Sequence, residues 1–161
     1  LKEIYNSKKN KNETLKSKAK KTNSDLQLLL VEDDFLAQKA VLSLLENGCN
    51  YSVDLAKNGT EAIQAVKSKK YDFIFMDIGL PDMSGCEVAK QIRSLKLDIP
   101  IIALTAHNTI FAENSVYESG IDDIITKPLD IEKARQIIKK WCTTKSAKKE
   151  IKDKIVKKKH K

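Results

Sequence analysis

At 161 residues with 41% hydrophobic content, the chain suits one ordinary domain with extra tail, and neither a membrane span of ~20 apolar residues nor an apolar leader is visible in it. Its formal net charge of +8 divides unevenly: residues 1–24 hold eight lysines and two glutamates, residues 144–161 hold nine lysines and two acids, and the body between them holds 13 basic and 18 acidic residues. Three scattered cysteines, Cys49, Cys86 and Cys142, lack any C-x-x-C spacing, which argues against zinc or a disulfide framework and for reduced thiols in a cytosolic setting.

Residues 1–25 read as a lysine-rich linker or disordered tail, because they have few apolar residues and no regular apolar face. A first apolar run, Leu26–Val31, ends at Glu32-Asp33-Asp34. A helix follows in which Leu36, Ala40 and Leu44 recur every four residues as the apolar stripe, with Asp34 as its cap and a stop near Asn47-Gly48. Tyr51, Val53 and Leu55 alternate with polar residues, the pattern of a half-exposed edge strand. Lys57-Asn58-Gly59 turns the chain, and Thr60 is placed to cap a helix over Glu61–Ser68. The next strand, Phe73–Met76, stops at Asp77, and Ile78-Gly79-Leu80-Pro81 forms a loop. Val88, Ile92 and Leu95 mark a third helix. Ile101–Leu104 is the fourth strand and ends at Thr105. Asn108 is placed to cap a weakly amphipathic fourth helix that stops at Gly120. Ile124-Ile125 is a short fifth strand before Thr126-Lys127-Pro128, and a last helix carries Ile131, Ala134, Ile138 and Trp141 on one face. Residues 144–161 form a second lysine-rich tail, in which Ile151, Ile155 and Val156 support at most a weak terminal helix.

Strands that alternate with helices predict a parallel sheet covered on both sides. The right-handed crossover rule leaves few topologies. The pattern fits an α/β, flavodoxin-like (βα)5 doubly wound sheet over residues 26–143, in strand order 2-1-3-4-5 with the alternating second strand at an edge.

Polar residues stand where the apolar strands stop: Glu32 and Asp33 after the first, Asp77 after the third, Thr105 after the fourth and Lys127 after the fifth. A parallel sheet gathers these points on one edge, where ligands favour the switch between the first and third strands. Clustered carboxylates repel one another. A hard divalent cation relieves that repulsion, and oxygen donors without His or Cys point to Mg²⁺. With Lys127 opposite, such a site can neutralise a transferring phosphoryl group, and a carboxylate can serve as its nucleophile.

The stretches LLLVEDD, FIFMDIGLPDMSG, IIALTAH and GIDDIITKPLD resemble, in this order and spacing, the receiver domain of bacterial response regulators and hybrid sensor kinases. The resemblance covers residues 26 to about 143 and implies that Asp77 is the phosphoacceptor. It implies that Asp33 is a direct Mg²⁺ ligand, that Glu32 acts through water, and that the backbone carbonyl of Gly79 joins the metal shell. Thr105 and Lys127 would each engage a phosphoryl oxygen, and the Lys127–Pro128 bond would be cis. The implied donor is a histidine kinase or a histidine phosphotransfer domain, in the cytoplasm. One departure stands out. Receivers usually carry Tyr or Phe three residues before the lysine, and this chain has Ile124, which puts the usual aromatic readout in doubt.

Neither His107 nor His160 lies in a kinase-like phosphoacceptor context, and no Gly-rich nucleotide loop is present, so the kinase step is assigned to another chain or another part of the parent protein. His107 is read as structural or solvent-facing, and Asp82, Asp122 and Asp123 as solvated or turn residues. LTAH and DDIITKP look closer to receivers of hybrid sensor kinases, and the start at Leu1 fits a fragment with residues 1–25 as linker. The alternatives are a stand-alone response regulator and a haloacid-dehalogenase-like phosphatase. The phosphatase usually needs a second Asp two residues after the nucleophile, where Gly79 stands. A third is a nucleic-acid or anionic-membrane module that uses the basic tails, with no sequence-specific nucleic acid expected.

Overall fold

Successive side chains of a strand point to opposite faces, so a run of consecutive apolar residues needs cover on both. The computed structural model describes residues 25–106 and 110–143, and provides that cover. Its strands are β1 (Gln27–Val31), β2 (Ser52–Ala56), β3 (Phe73–Asp77), β4 (Ile101–Thr105) and β5 (Asp123–Thr126). All neighbouring pairs are parallel, in the order β2-β1-β3-β4-β5. The tails, His107 and Asn108 fall outside the described residues. No helix among the described residues is long and apolar enough to cross a membrane.

The alternation splits the core into two. Leu28, Leu30, Phe73, Phe75, Ile102 and Leu104 face α1 (Phe35–Ser43) and α5 (131–143), where Leu45, Ala134 and Ile138 meet them. Leu29, Val31, Ile74, Met76, Ile101 and Ala103 face α2 (Gly59–Ser68), α3 (Gly85–Ser94) and α4 (Ile110–Glu118). Ala62, Val66, Val88, Ile92 and Val116 complete that side. The second strand is the half-exposed edge that its alternation predicts.

Several local expectations need correction. Of the stripe Leu36, Ala40 and Leu44, only Leu44 packs, half-buried, against the core: Leu36 is 75% exposed and Ala40 is exposed, and the inward face of α1 carries Gln38, with Leu45 in the π-helical turn Leu44–Gly48 beyond it. Asn58, not Thr60, caps α2 by accepting from Glu61 N at 2.8 Å, because the helix starts at Gly59. Leu95 lies just past α3 as its cap and is exposed. On α5, Ala134 and Ile138 are buried while Ile131 is exposed.

Gly120 has φ of 93° after α4, a conformation that favours glycine. A side chain there would also strike Arg93, whose Cγ lies 2.6 Å from the position a Cβ would take. Arg93 donates to the carbonyls of Gly120, Leu97 and Ile99 and pairs with Asp122 at 2.8 Å. Asp122 is therefore not a solvated turn residue: it also accepts from Ile101 N and joins the starts of β4 and β5. Asp123 is likewise engaged, by Lys140 at 2.6 Å and Trp141 Nε1 at 3.1 Å. Replacing Arg93 by Met keeps an apolar stem and leaves these acceptors without their donor. We expect Arg93→Met to destabilise the fold by about 2–3 kcal/mol in urea unfolding. A loss below about 0.5 kcal/mol would show that water replaces the guanidinium without cost.

Candidate functional site

Every strand of a parallel sheet delivers its carboxyl end to the same edge, and the polar residues that follow β1, β3, β4 and β5 collect there. Glu32 is fully buried, held by its backbone N–H to Ala56 O at 3.1 Å. Asp77 ends β3 and pairs in register with Leu104, one residue before Thr105. Lys127 follows β5, and its N–H donates to Thr105 O at 2.8 Å. The Lys127–Pro128 bond is cis.

The carboxylates of Glu32, Asp33 and Asp77 each offer an oxygen within 4.8 Å of the others. At an effective dielectric of about 20, each such pair repels by on the order of 3–4 kcal/mol. Lys127 answers part of that charge: its Nζ lies 2.8 Å from Glu32 Oε2 and 3.4 Å from Asp77 Oδ2. Asp33 is exposed and lies beside the pair. Burial pushes the Glu32 carboxyl above its usual range, opposed by the hydrogen bond from Lys127. Burial would lower Lys127, but its bond to Glu32 and the charge of Asp77 outweigh that and hold it raised. The group is a set of oxygen donors with excess negative charge, which fits a hard cation such as Mg²⁺.

The backbone is shaped around Asp77. A side chain at position 85 would put a Cβ 2.3 Å from Asp77 O, so glycine is required for α3 to start against the end of β3. Gly85 N donates to Ile78 O, and Ser84 caps the helix by accepting from Glu87 N. Gly79 N lies 3.3 Å from Asp77 Oδ1, and no neighbour would obstruct a side chain at position 79. What Gly79 can offer a metal is its carbonyl, which any residue could supply.

Of the predicted residues, Glu32, Asp33, Asp77 and Lys127 meet, while Thr105 lies at the strand end next to Asp77 and is half-buried. Asp34 is the helix cap expected of it, accepting from Ala37 N at 2.8 Å. Ile124 pairs with Ala103 and packs, half-buried, against the core under α2, α3 and α4. Asp82 is exposed in the loop after Asp77, as expected, but it is not without partners. Its carboxylate accepts from Gly59 N, Thr60 N and Thr60 Oγ1 at 2.8–2.9 Å, and ties the loop after Asp77 to the start of α2. Its partners lie 22 and 23 residues away, and only the fold brings them near.

An all-parallel sheet whose chemistry gathers at the carboxyl ends of its strands is the architecture of a two-component receiver. Residues 28–139 match the response regulator receiver domain, and the chain belongs to that family. It is 38% identical over 105 residues to the transcriptional regulatory protein DltR of Streptococcus agalactiae serotype III, covering 65% of this chain and 46% of that protein. The chain thus spans under half the length of this relative. Among solved structures, it resembles the receiver domain of sensor histidine kinase PA1611 from Pseudomonas aeruginosa PAO1, which has a magnesium ion coordinated in the active site cleft. That likeness has a TM-score of 0.66 and 28% identity over 73% of this chain and 98% of the other. It also resembles the receiver domain of Saccharomyces cerevisiae Ssk1, solved with the histidine phosphotransfer protein Ypd1: TM-score 0.70 and 32% identity, over 78% of this chain and 94% of that one.

The hydrogen bonds from Gly59 and Thr60 lower the Asp82 pKa from 3.8 to about 2. A carboxyl depressed in the folded state contributes stability that is present above its unfolded value and lost as pH falls through its folded value. The contribution of Asp82 is therefore expected to disappear between about pH 4 and pH 2. Melting temperature followed over that range should fall more steeply in wild type than in Asp82→Asn. Parallel curves would remove Asp82 from the acid response.

Proposed function

We propose that this chain is a phosphoacceptor receiver in which Asp77 takes a phosphoryl group from a phosphohistidine with the help of Mg²⁺. The observation that carries the reading is the convergence of Glu32, Asp33 and Asp77 within 4.8 Å, with Lys127 Nζ 3.4 Å from Asp77. An Asp77 oxygen forms the new P–O bond as the donor's P–N bond breaks, and the imidazole leaves. Glu32, Asp33, Asp77 and the Gly79 carbonyl are the groups that would hold the metal, which when bound offsets charge on the phosphoryl oxygens. Lys127 turns from Glu32 toward one phosphoryl oxygen, and Thr105 donates to another. Ile124 has no ring to reorient, so the output of this receiver relies on another element.

The surface beside the site fits a protein donor. Phe35 is 62% exposed and Leu36 is 75% exposed at the start of α1. Next to them runs a groove of about 440 Å³ whose lining includes Val41, Leu44, Leu104 and Pro128. Glu32 and Lys127 also line it, so groove and phosphorylation site are continuous. Exposed apolar surface of this kind marks interaction sites. We take its occupant to be a helix of a histidine kinase or histidine phosphotransfer protein, and the Ssk1 receiver, crystallised with Ypd1, supports that choice. We further read the chain as the receiver of a hybrid sensor kinase in the cytoplasm. LTAH and DDIITKP, the likeness to the PA1611 receiver and the fact that Cys49, Cys86 and Cys142 form no disulfide among the described residues support this. The likeness to DltR favours a stand-alone regulator instead.

One experiment with two donors tests the proposal. Incubated with acetyl phosphate and Mg²⁺, wild type should gain the mass of one phosphoryl group in an intact-mass spectrum, and Asp77→Asn should gain none. Leu36→Asp should keep the reaction with acetyl phosphate and lose at least tenfold in rate with a phosphorylated histidine phosphotransfer protein. Phosphorylation of Asp77→Asn would refute the acceptor, and an unchanged protein-donor rate would refute the docking face.

A further inference from the structure

Buried polar side chains need partners, and among the described residues only Glu32, Gln38 and Ser119 are polar and buried. Glu32 belongs to the site, and Ser119 bonds back to Val116 O within its own helix turn. Gln38 remains. It is 6% exposed on the inward face of α1, where a Leu would serve packing better.

Its contacts all lead to the acidic turn. Gln38 Nε2 donates to Glu32 O at 2.8 Å and to Asp33 O at 3.3 Å. Gln38 N donates to Asp34 O at 2.9 Å. One residue thus satisfies the carbonyls of three consecutive positions, Glu32, Asp33 and Asp34. The ladder between β1 and β2 ends at Val31, so the first two of these carbonyls lie past the last paired residue of the strand. Without the side-chain amide they would have to rotate toward water, and the carboxylates carried on the same backbone would rotate with them.

We propose that Gln38 is a positioning residue for Mg²⁺: its side-chain amide fixes the backbone of Glu32 and Asp33 and so aims their carboxylates at the metal. This rests on the Mg²⁺ site of the proposed function. Groups that orient metal ligands from behind cost 10–100-fold in affinity when lost. Glu32 and Asp33 are supported in this way by an amide that never touches the ion.

Calorimetric titration of Mg²⁺ into the folded proteins, well below their melting temperatures, tests it. Gln38→Met keeps length and helix propensity and removes the donor. It should weaken Mg²⁺ binding about tenfold or more. Leu45→Ala, a buried core truncation in the turn after α1, should lower the melting temperature and leave affinity within about twofold, since a purely structural defect does not alter the folded site. Gln38→Glu separates geometry from charge. An added negative charge alone tightens Mg²⁺ binding, whereas loss of the donor weakens it, and the positioning role predicts weakening. Should Gln38→Met fail to fold, Gln38→Glu decides. Affinity of Gln38→Met within twofold of wild type, or tighter binding by Gln38→Glu, overturns the role of Gln38 and leaves the Mg²⁺ site standing. Absence of Mg²⁺ binding in wild type overturns the site itself.

Discussion

Negative charge concentrated at one edge of the sheet is the constraint on which the rest of this structure depends. Three carboxylates from the ends of β1 and β3 lie within 4.8 Å, and one of them, Glu32, has no exposure to water. Repulsion on this scale must be balanced from within the molecule or by a ligand. Lys127 balances Glu32 and Asp77 from the far side of the sheet, 95 residues away from Glu32 in the chain. The same lysine is thus the internal counter-ion of the resting site and, in the proposed reaction, the partner of a phosphoryl oxygen. The resting ion pair and the proposed reaction use one residue, which stands at the start of the β5–α5 connection.

The site is held by groups that do none of its chemistry. Gly85 admits the start of α3 against the Asp77 carbonyl. Asp82 fastens the following loop to α2, and Gln38 fastens the acidic turn to α1. Two helices on opposite faces of the sheet therefore grip the two loops that carry the carboxylates. Such support sets the precision of a site, because reacting groups need to be held within about 0.5 Å of their working positions.

Much of this was legible from residue order alone. The strands announced themselves as apolar runs that stop at polar residues, and parallel pairing then required Glu32, Asp33, Asp77 and Lys127 to share an edge. Helix faces were harder. In α1 the spacing of Leu36, Ala40 and Leu44 marks an apolar stripe, yet Leu36 and Ala40 face outward and only Leu44 reaches the core. The inward face runs through Gln38, Val41 or Leu42, and Leu45, with the same helical period, and the glutamine disguises it. An exposed apolar stripe and a polar residue on the buried face are both departures from packing logic, and such departures gather near functional sites. Asp82, Asp122 and Asp123 read as turn residues because their partners lie 17 to 29 residues away, and no local pattern encodes them. Arg93 gave no signal for a similar reason: a lone basic residue at the end of a helix is ordinary, and only folding brings the α3–β4 and α4–β5 connections together to supply its acceptors.

The account stands on the acidic cluster being a metal site built jointly by β1 and β3. Its most direct measurement is the Mg²⁺ dissociation constant of wild type set beside those of Asp33→Asn, Asp77→Asn and, as a nearby carboxylate used only for capping, Asp34→Asn. One bound ion per chain is predicted, with at least tenfold weaker binding for the first two variants and little change for the third. Equal affinities across all four proteins, or no binding by wild type, would contradict it.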